Sequence, residues 1–358
     1  MTQDCYAEIR PYHDDEVAAV IARLVATEEF ADAIGRFEFA KLYPKLTWLL
    51  RPLVRQQLKR KLGGIDRVRD FQLLVADYMA AMISKTTDGV TVSGLEGLTP
   101  SKPMLFISNH RDIALDPAFV NYALHQAGHD TVRIAIGDNL LQKDYVSDLM
   151  RLNKSFIVKR ATKAPRQLAA NMGLLSAYID DSLQQGHSIW IAQREGRAKD
   201  GNDVTDPALL KMLYMAHRKQ LSFEQMVARL NIVPVAISYE YDPCDVLKAR
   251  ELAQQARGGS YEKAPFEDIR AIVQGITGQK GRVHVAFAEP LAATGLDSPA
   301  ALASAIDQQI RRHYKLFPTN LAAAGTGNDW LRQRQQGLSA DEAQLLKEAY
   351  ARPVLNAQ

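Results

Sequence analysis

MLFISNHRDIALDPAFVNYALHQAG, residues 104–128, passes from a short apolar run through a polar loop into a helical pattern. The run MLFIS reads as a buried strand, and the helix opens at Asp116 and Pro117. The same grammar continues outward from this stretch. VRIAI (132–136), SFIVK (155–159), SIWIA (188–192), IVPVAIS (232–238) and VHVAFA (283–288) are further strand-like runs. PAFVNYALHQAG, PRQLAANMGLLSAYIDDSLQQG and PALLKMLYMAHRKQ are helical patterns set among them. Strands alternating with helices predict an α/β fold, with a mixed, largely parallel sheet flanked by helices. Ligands of such sheets bind beyond the carboxyl ends of the strands.

The 358 residues suffice for a substantial core, and 47% hydrophobic and 24% charged residues are globular values that argue against disorder. We divide the chain into a helical region at 1–90, one large domain at 91–325 and a helical tail at 326–358, whose last helix starts near Ser339. TVSGLEGLTPSKP (91–103) reads as a strand and turn leading into the large domain. A net charge of +3 is too mild for nucleic acid as a partner. Cys5 and Cys244 offer neither a disulfide framework nor a metal site, and fit a reducing compartment. The first twenty residues carry acids where a signal peptide needs a basic start. Charges interrupt every apolar run before it reaches bilayer-spanning length. The expected location is therefore cytoplasmic.

FEFAKLYPKLTWLLRPLVRQQLKRKLGG (37–64) differs from the rest. Seven basic residues and no acid fall between Lys41 and Leu62, interleaved with Trp48 and leucines. At 100° per residue, Leu46, Leu49, Leu50, Leu53 and Val54 share one side, away from Lys45, Arg51, Arg55 and Lys59. This pattern fits either a helix docked on its own domain or one lying on an anionic membrane surface at the inner face. Pro44 suits a helix start, and Pro52 should kink the helix or begin a second one.

Nucleophile-elbow, phosphate-loop, dinucleotide and HExxH signatures are absent from the sequence. Two loops remain. In the first, His110 follows strand MLFIS with carboxylates at Asp112 and Asp116, a setting for a general base oriented by an acid. Asp116 before Pro117 also reads as a helix cap. In the second, strand SIWIA ends in Arg194, Glu195, Gly196, Arg197, Lys199 and Gly201. Glycine lets backbone approach a ligand and arginine recognises phosphate with two parallel donors, although a solvated surface turn would look similar. Lys159 and Arg160 end a further strand.

With these blocks in place, residues 100–290 resemble the glycerophospholipid acyltransferase superfamily, which includes lysophosphatidic acid and glycerol-3-phosphate acyltransferases. Asn109-His110 through Asp116 is similar to the family's His/Asp block, Phe156 to Arg160 to its second block, Glu195-Gly196-Arg197 to its third and Ile232 to Tyr239 to its fourth. VHVAFAEPL is similar to its closing strand. Two departures stand out. Five residues separate His110 from Asp116 where the family has four, which leaves Asp112 and Asp116 both open as the orienting acid. The third block has Gln193-Arg194 where an apolar residue and proline are usual, and Arg197 follows Gly196 directly.

The resemblance implies an acyltransferase that moves a fatty acyl group from acyl-CoA or acyl carrier protein to a hydroxyl of glycerol-3-phosphate or 1-acylglycerol-3-phosphate. His110 would act as base, with no cofactor and no metal. Arg160, Arg197 and Lys199 would hold the phosphate, and Glu195 would bind a hydroxyl or orient an arginine. Asn109, Arg111, Lys159 and Gly196 complete the implied binding set. The alternatives are a non-catalytic lipid-binding scaffold with the same fold, or an acyltransferase with a different acceptor.

Overall fold

The computed structural model describes residues 4–39, 41–99, 102–162, 164–259, 261, 264 and 266–357, so Pro100 and Ser101 of the expected turn lie outside it. The first elements are α1 (Asp14–Ala26), α2 (Glu28–Glu38), α3 (Tyr43–Leu62), α4 (Val68–Thr86), β1 (Val90–Ser93), β2 (Leu105–Ser108) and α5 (Leu115–Gln126). Then come β3 (Arg133–Gly137), α6 (Asp144–Leu152), β4 (Ser155–Val158), α7 (Pro165–Gln184), β5 (Ile189–Ala192), α8 (Pro207–Tyr214), α9 (Phe223–Leu230) and β6 (Ile232–Tyr239). The last are α10 (Asp245–Gly258), α11 (Glu267–Thr277), β7 (Val283–Phe287), α12 (Pro299–His313), α13 (Pro318–Ala324), α14 (Asp329–Arg334) and α15 (Ala340–Asn356). Every strand-like run read from the sequence is a strand. The chain forms two compact units, Met1–Tyr78 with Arg133–Asn171, and Met79–Val132 with Met172–Gln358.

The first unit is built on α1 to α3. Val17, Val20, Ile21 and Leu24 of α1 recur at helical spacing and pack with Tyr43, Val54, Leu58 and Leu62 of α3. Tyr12 Oη and Arg23 donate to Asp148 of α6 at 2.7 and 2.8 Å, anchoring the amino-terminal segment. Strands β3 and β4 pair in parallel, with Gly137 opposite Val158.

Helix α3 departs from the sequence reading in two ways. Its one break in helical dihedrals is at Leu46 (φ −126°, ψ 29°), and Pro52 sits inside the helix. Its apolar side is also divided. Val54, Leu58 and Leu62 are buried and Leu50 half-buried, whereas Trp48, Leu49 and Leu53 are 76%, 46% and 55% exposed. A helix face more than 100° wide is broader than one docking contact covers. Arg51, counted with the free basic side, instead donates to Asp32 of α2 at 2.7 and 2.9 Å.

The second unit holds five strands in the order β1-β7-β6-β2-β5. All pairs are parallel except β6 with β7. Every residue of β2 and β6 is buried, the mark of strands covered on both faces. Phe106 meets Phe287 edge-to-face at 5.6 Å. Pro234 lies in central β6, where proline is unusual. Its carbonyl accepts from Ala288 N at 2.9 Å, just past the end of β7. A strand residue's N–H and C=O point the same way, so the missing N–H faces that side and costs β2 nothing.

The carboxyl-terminal helices pack on α10 through Ala249, Ala323, Leu331, Leu346 and Tyr350. Ser339 caps α15, with Glu342 accepting from the Ser339 backbone at 3.0 Å.

Candidate active site

The site is assembled where β2 ends, in the second unit. Asn109 extends the ladder toward β6 by one rung with its side chain. Its Oδ1 accepts from Ile237 N at 2.8 Å and its Nδ2 donates to Ile237 O at 3.0 Å. This fastening lets the chain leave the sheet at His110. The His110 ring meets Trp190 of β5 edge-on at 6.1 Å, and Trp190 Nε1 donates to Ser108 Oγ at 3.0 Å.

Asp116 is the acid that faces the histidine. Its Oδ2 lies 2.9 Å from His110 Nδ1 and accepts from the backbone N–H groups of Arg111 (2.6 Å) and Asp112 (2.9 Å). Its Oδ1 accepts from Tyr239 Oη at 2.7 Å. Asp116 is fully buried, whereas the His110 side chain keeps 14% exposure. Where the carboxylate accepts in this contact, Nδ1 is the donor, and Nε2 of a neutral ring keeps its lone pair.

Asp112 occupies the other position that the spacing left open. Its Oδ1 accepts from Ala114 N and Leu115 N at 3.0 and 2.9 Å, fastening the turn that leads into α5, whose N-cap position is Ala114. Burial, with Asp116 nearby, pushes its carboxyl upward. Gly275 of α11 packs against it so closely that a Cβ would collide with Asp112 Oδ2.

Arg111 points inward. Its Nε and Nη2 donate to Asp203 at 3.1 and 2.6 Å, and Nη2 also reaches Gly201 O at 3.0 Å. Lys248 Nζ donates to the Arg111 carbonyl at 2.6 Å and pairs with Asp242. Burial raises the Asp242 carboxyl, but Lys248 outweighs it and holds the group below its ordinary value.

The glycine loop lies against this cluster. Ala198 N donates to His110 O at 2.7 Å, so Arg197 adjoins a backbone bond to the histidine. One buried Arg197 nitrogen, Nη1, has no protein partner among the described residues. Lys199 pairs with Glu251 of α10. Glu195 and Gly196 are exposed, Gly196 at φ +73°. Gly201, at φ +76°, could carry no Cβ without striking Ala349 O of α15. A cavity of about 30 Å³ lined by Arg111, Lys199, Tyr239, Asp242, Lys248 and Tyr350 lies within the unit, enough for about two waters and too small for a lipid.

The structure thus brings together Asn109, His110, Arg111, Asp112, Asp116, Arg197 and Lys199. Lys159 and Arg160 belong to the first unit. There Lys159 pairs with Glu8, and Asp138 Oδ2 accepts from the backbone of Arg160 and Ala161 at 3.0 and 3.1 Å. Sequence reasoning missed Trp190, Asp203 and Tyr239. Of these only Tyr239 carried a signal, a hydroxyl closing an apolar run. Among the described residues, no group of three or more His, Cys, Asp or Glu side chains is arranged to hold a metal ion, and no helix is long and apolar enough to cross a membrane.

Residues 89–238 match the family model described as Acyltransferase. Comparison with curated proteins gave no match. Among solved structures, the 1-acyl-sn-glycerophosphate (LPA) acyltransferase PlsC from Thermotoga maritima aligns over 81% of this chain and 93% of its own, with 14% identity and a TM-score of 0.40. At that distance the likeness carries no argument about the reaction.

Proposed function

We propose that the protein transfers a fatty acyl group from acyl-CoA or acyl carrier protein to a hydroxyl of glycerol-3-phosphate or 1-acylglycerol-3-phosphate. The observation that carries this reading is the 2.9 Å contact of His110 Nδ1 with buried Asp116, which leaves Nε2 as the proton acceptor. The acceptor O–H proton passes to Nε2 as its oxygen attacks the thioester carbonyl. The new C–O bond forms, the C–S bond breaks, and the thiolate departs with the proton returned from His110. Base catalysis of this kind contributes about 10² to 10⁴ in rate, so substrate positioning carries the rest.

Arg197, with an unsatisfied buried nitrogen, is the acceptor-phosphate ligand of the second unit. Asn109, Arg111 and Lys199, engaged with Ile237, Asp203 and Glu251, hold the loops that carry the site. Donor and acceptor are substrates, and no cofactor is invoked. The protein works at the inner, anionic membrane face, where its lipid substrates reside. The exposed Trp48, Leu49 and Leu53 beside Lys45 and Lys59 support this placement.

The test is thiol release from palmitoyl-CoA and palmitoyl-acyl carrier protein with glycerol-3-phosphate, 1-acylglycerol-3-phosphate and unphosphorylated glycerol lipids as acceptors. Release that depends on a phosphorylated acceptor upholds the reading. Release only with unphosphorylated acceptors replaces the acceptor, and none with any pair leaves the lipid-binding scaffold.

A further inference from the structure

We propose that Tyr239 is a positioning residue for the His110 base, acting through its hydroxyl bond to the second oxygen of Asp116. The inference rests on the reading of His110 as base and adds a residue to its machinery.

A carboxylate turns easily about its last side-chain bond, because that torsion is broad and two-fold. Asp116 Oδ2 alone serves His110 Nδ1 and the two backbone N–H groups. The bond from Tyr239 Oη, 2.7 Å long, is the only one to Oδ1 among the described residues. Held at both oxygens, the carboxylate plane is set, and with it the direction in which His110 presents Nε2. Tyr239 closes β6, opposite Val283 of β7, and its ring meets Phe119 edge-on at 5.8 Å. Strand pairing and α5 therefore fix the hydroxyl independently of the loop that bears His110. Burial and the adjacent Asp116 hold the phenol well above its ordinary pKa, so it remains a donor throughout the neutral range.

The test substitution is Tyr239→Phe, which keeps the ring in its core position and removes one oxygen. Turnover is expected to fall about tenfold or more, part of the total that base catalysis supplies, with both KM values unchanged. The second readout is the titration midpoint of His110 followed by NMR in the full chain without substrate. With one donor gone, Asp116 holds the Nδ1 proton more strongly, and the midpoint rises. The other charged groups near Asp116 and Tyr239 are Asp112 of the loop, Asp242 after β6 and Lys248 of α10, and all remain in place. Unchanged turnover, a loss carried in KM, or a turnover loss with an unmoved midpoint would each overturn the proposal, the last by making the hydroxyl structural only. Full turnover in His110→Ala removes the base itself, and so separates failure of the functional reading from failure of the Tyr239 contact.

Discussion

Two carboxylates flank His110, and single substitutions separate their duties. His110→Ala should lower turnover by at least about 10²-fold with an unchanged melting temperature, measured by thiol release and calorimetry. Asp116→Asn should damage turnover similarly. Asp112→Ala should instead cost about 1 kcal/mol of stability or more, because its carboxylate accepts two backbone N–H groups in the turn before α5, with a smaller effect on turnover. The reverse outcome would return orientation of the histidine to Asp112. Arg197→Ala should raise the acceptor KM more than the donor KM, and Arg197→Lys should not restore it, because an ammonium lacks the planar fork. Equal effects on the two KM values would place the phosphate elsewhere. The strand-end histidine and glycine loop were legible as local patterns. The choice between Asp112 and Asp116 was not, because it depends on how the loop backbone turns and not on residue spacing.

Helix α3 shows how a correct periodicity can leave a face undecided. The 3.6-residue repeat grouped its apolar residues, but only packing revealed that Val54 and Leu58 point inward while Trp48, Leu49 and Leu53 stay outside. Arg51 is committed to Asp32, so a surface-charge variant should spare it. Lys45→Glu with Lys59→Glu should weaken flotation with anionic vesicles, since each basic group near such a surface is worth about 1 kcal/mol. Trp48→Ser should weaken the binding that survives high salt, which screens charge but not apolar insertion. Equal flotation by native and variant chains, or none by either, would make this face an ordinary exposed surface.

The carboxyl-terminal helices belong to the packing of the second unit. Tyr350 Oη donates to Asp245 at 2.9 Å and accepts from Asp242 N at 2.8 Å, and Arg334 pairs with buried Asp245. Truncation after Gly325 would remove the buried Leu331, Leu346 and Tyr350 from the cluster on α10, at about 1.5 to 3 kcal/mol for each such apolar side chain, and should lower the melting temperature by roughly 5 °C or more. An unchanged melt would make residues 326–358 a dispensable appendage. Stability should also depend on alkaline pH through Lys280. Its fully buried Nζ donates to Thr86 Oγ1 at 2.8 Å, and burial lowers its pKa to about 8 from 10.5. Below pH 8 the charged form is penalised in the fold. As pH rises from about 8 to 10.5 the folded state has released the proton and the unfolded state has not, so stability rises there by a few kcal/mol, at about 1.4 kcal/mol per pKa unit. Lys280→Met should flatten that rise in melts taken across the interval, and an identical slope in both proteins would dismiss it. By itself the sequence determined the order of strands and helices, the layered α/β class and the position of the two loops at strand ends. These depend on hydrophobic periodicity and on residues adjacent in the chain. Only the tertiary structure decided that Asp116 faces His110, that Tyr239 donates to it from 123 residues away and that Arg111 is spent on Asp203 from 92 residues away. Those pairings follow from β2 lying between β5 and β6, a matter of strand neighbourhood that no local pattern encodes.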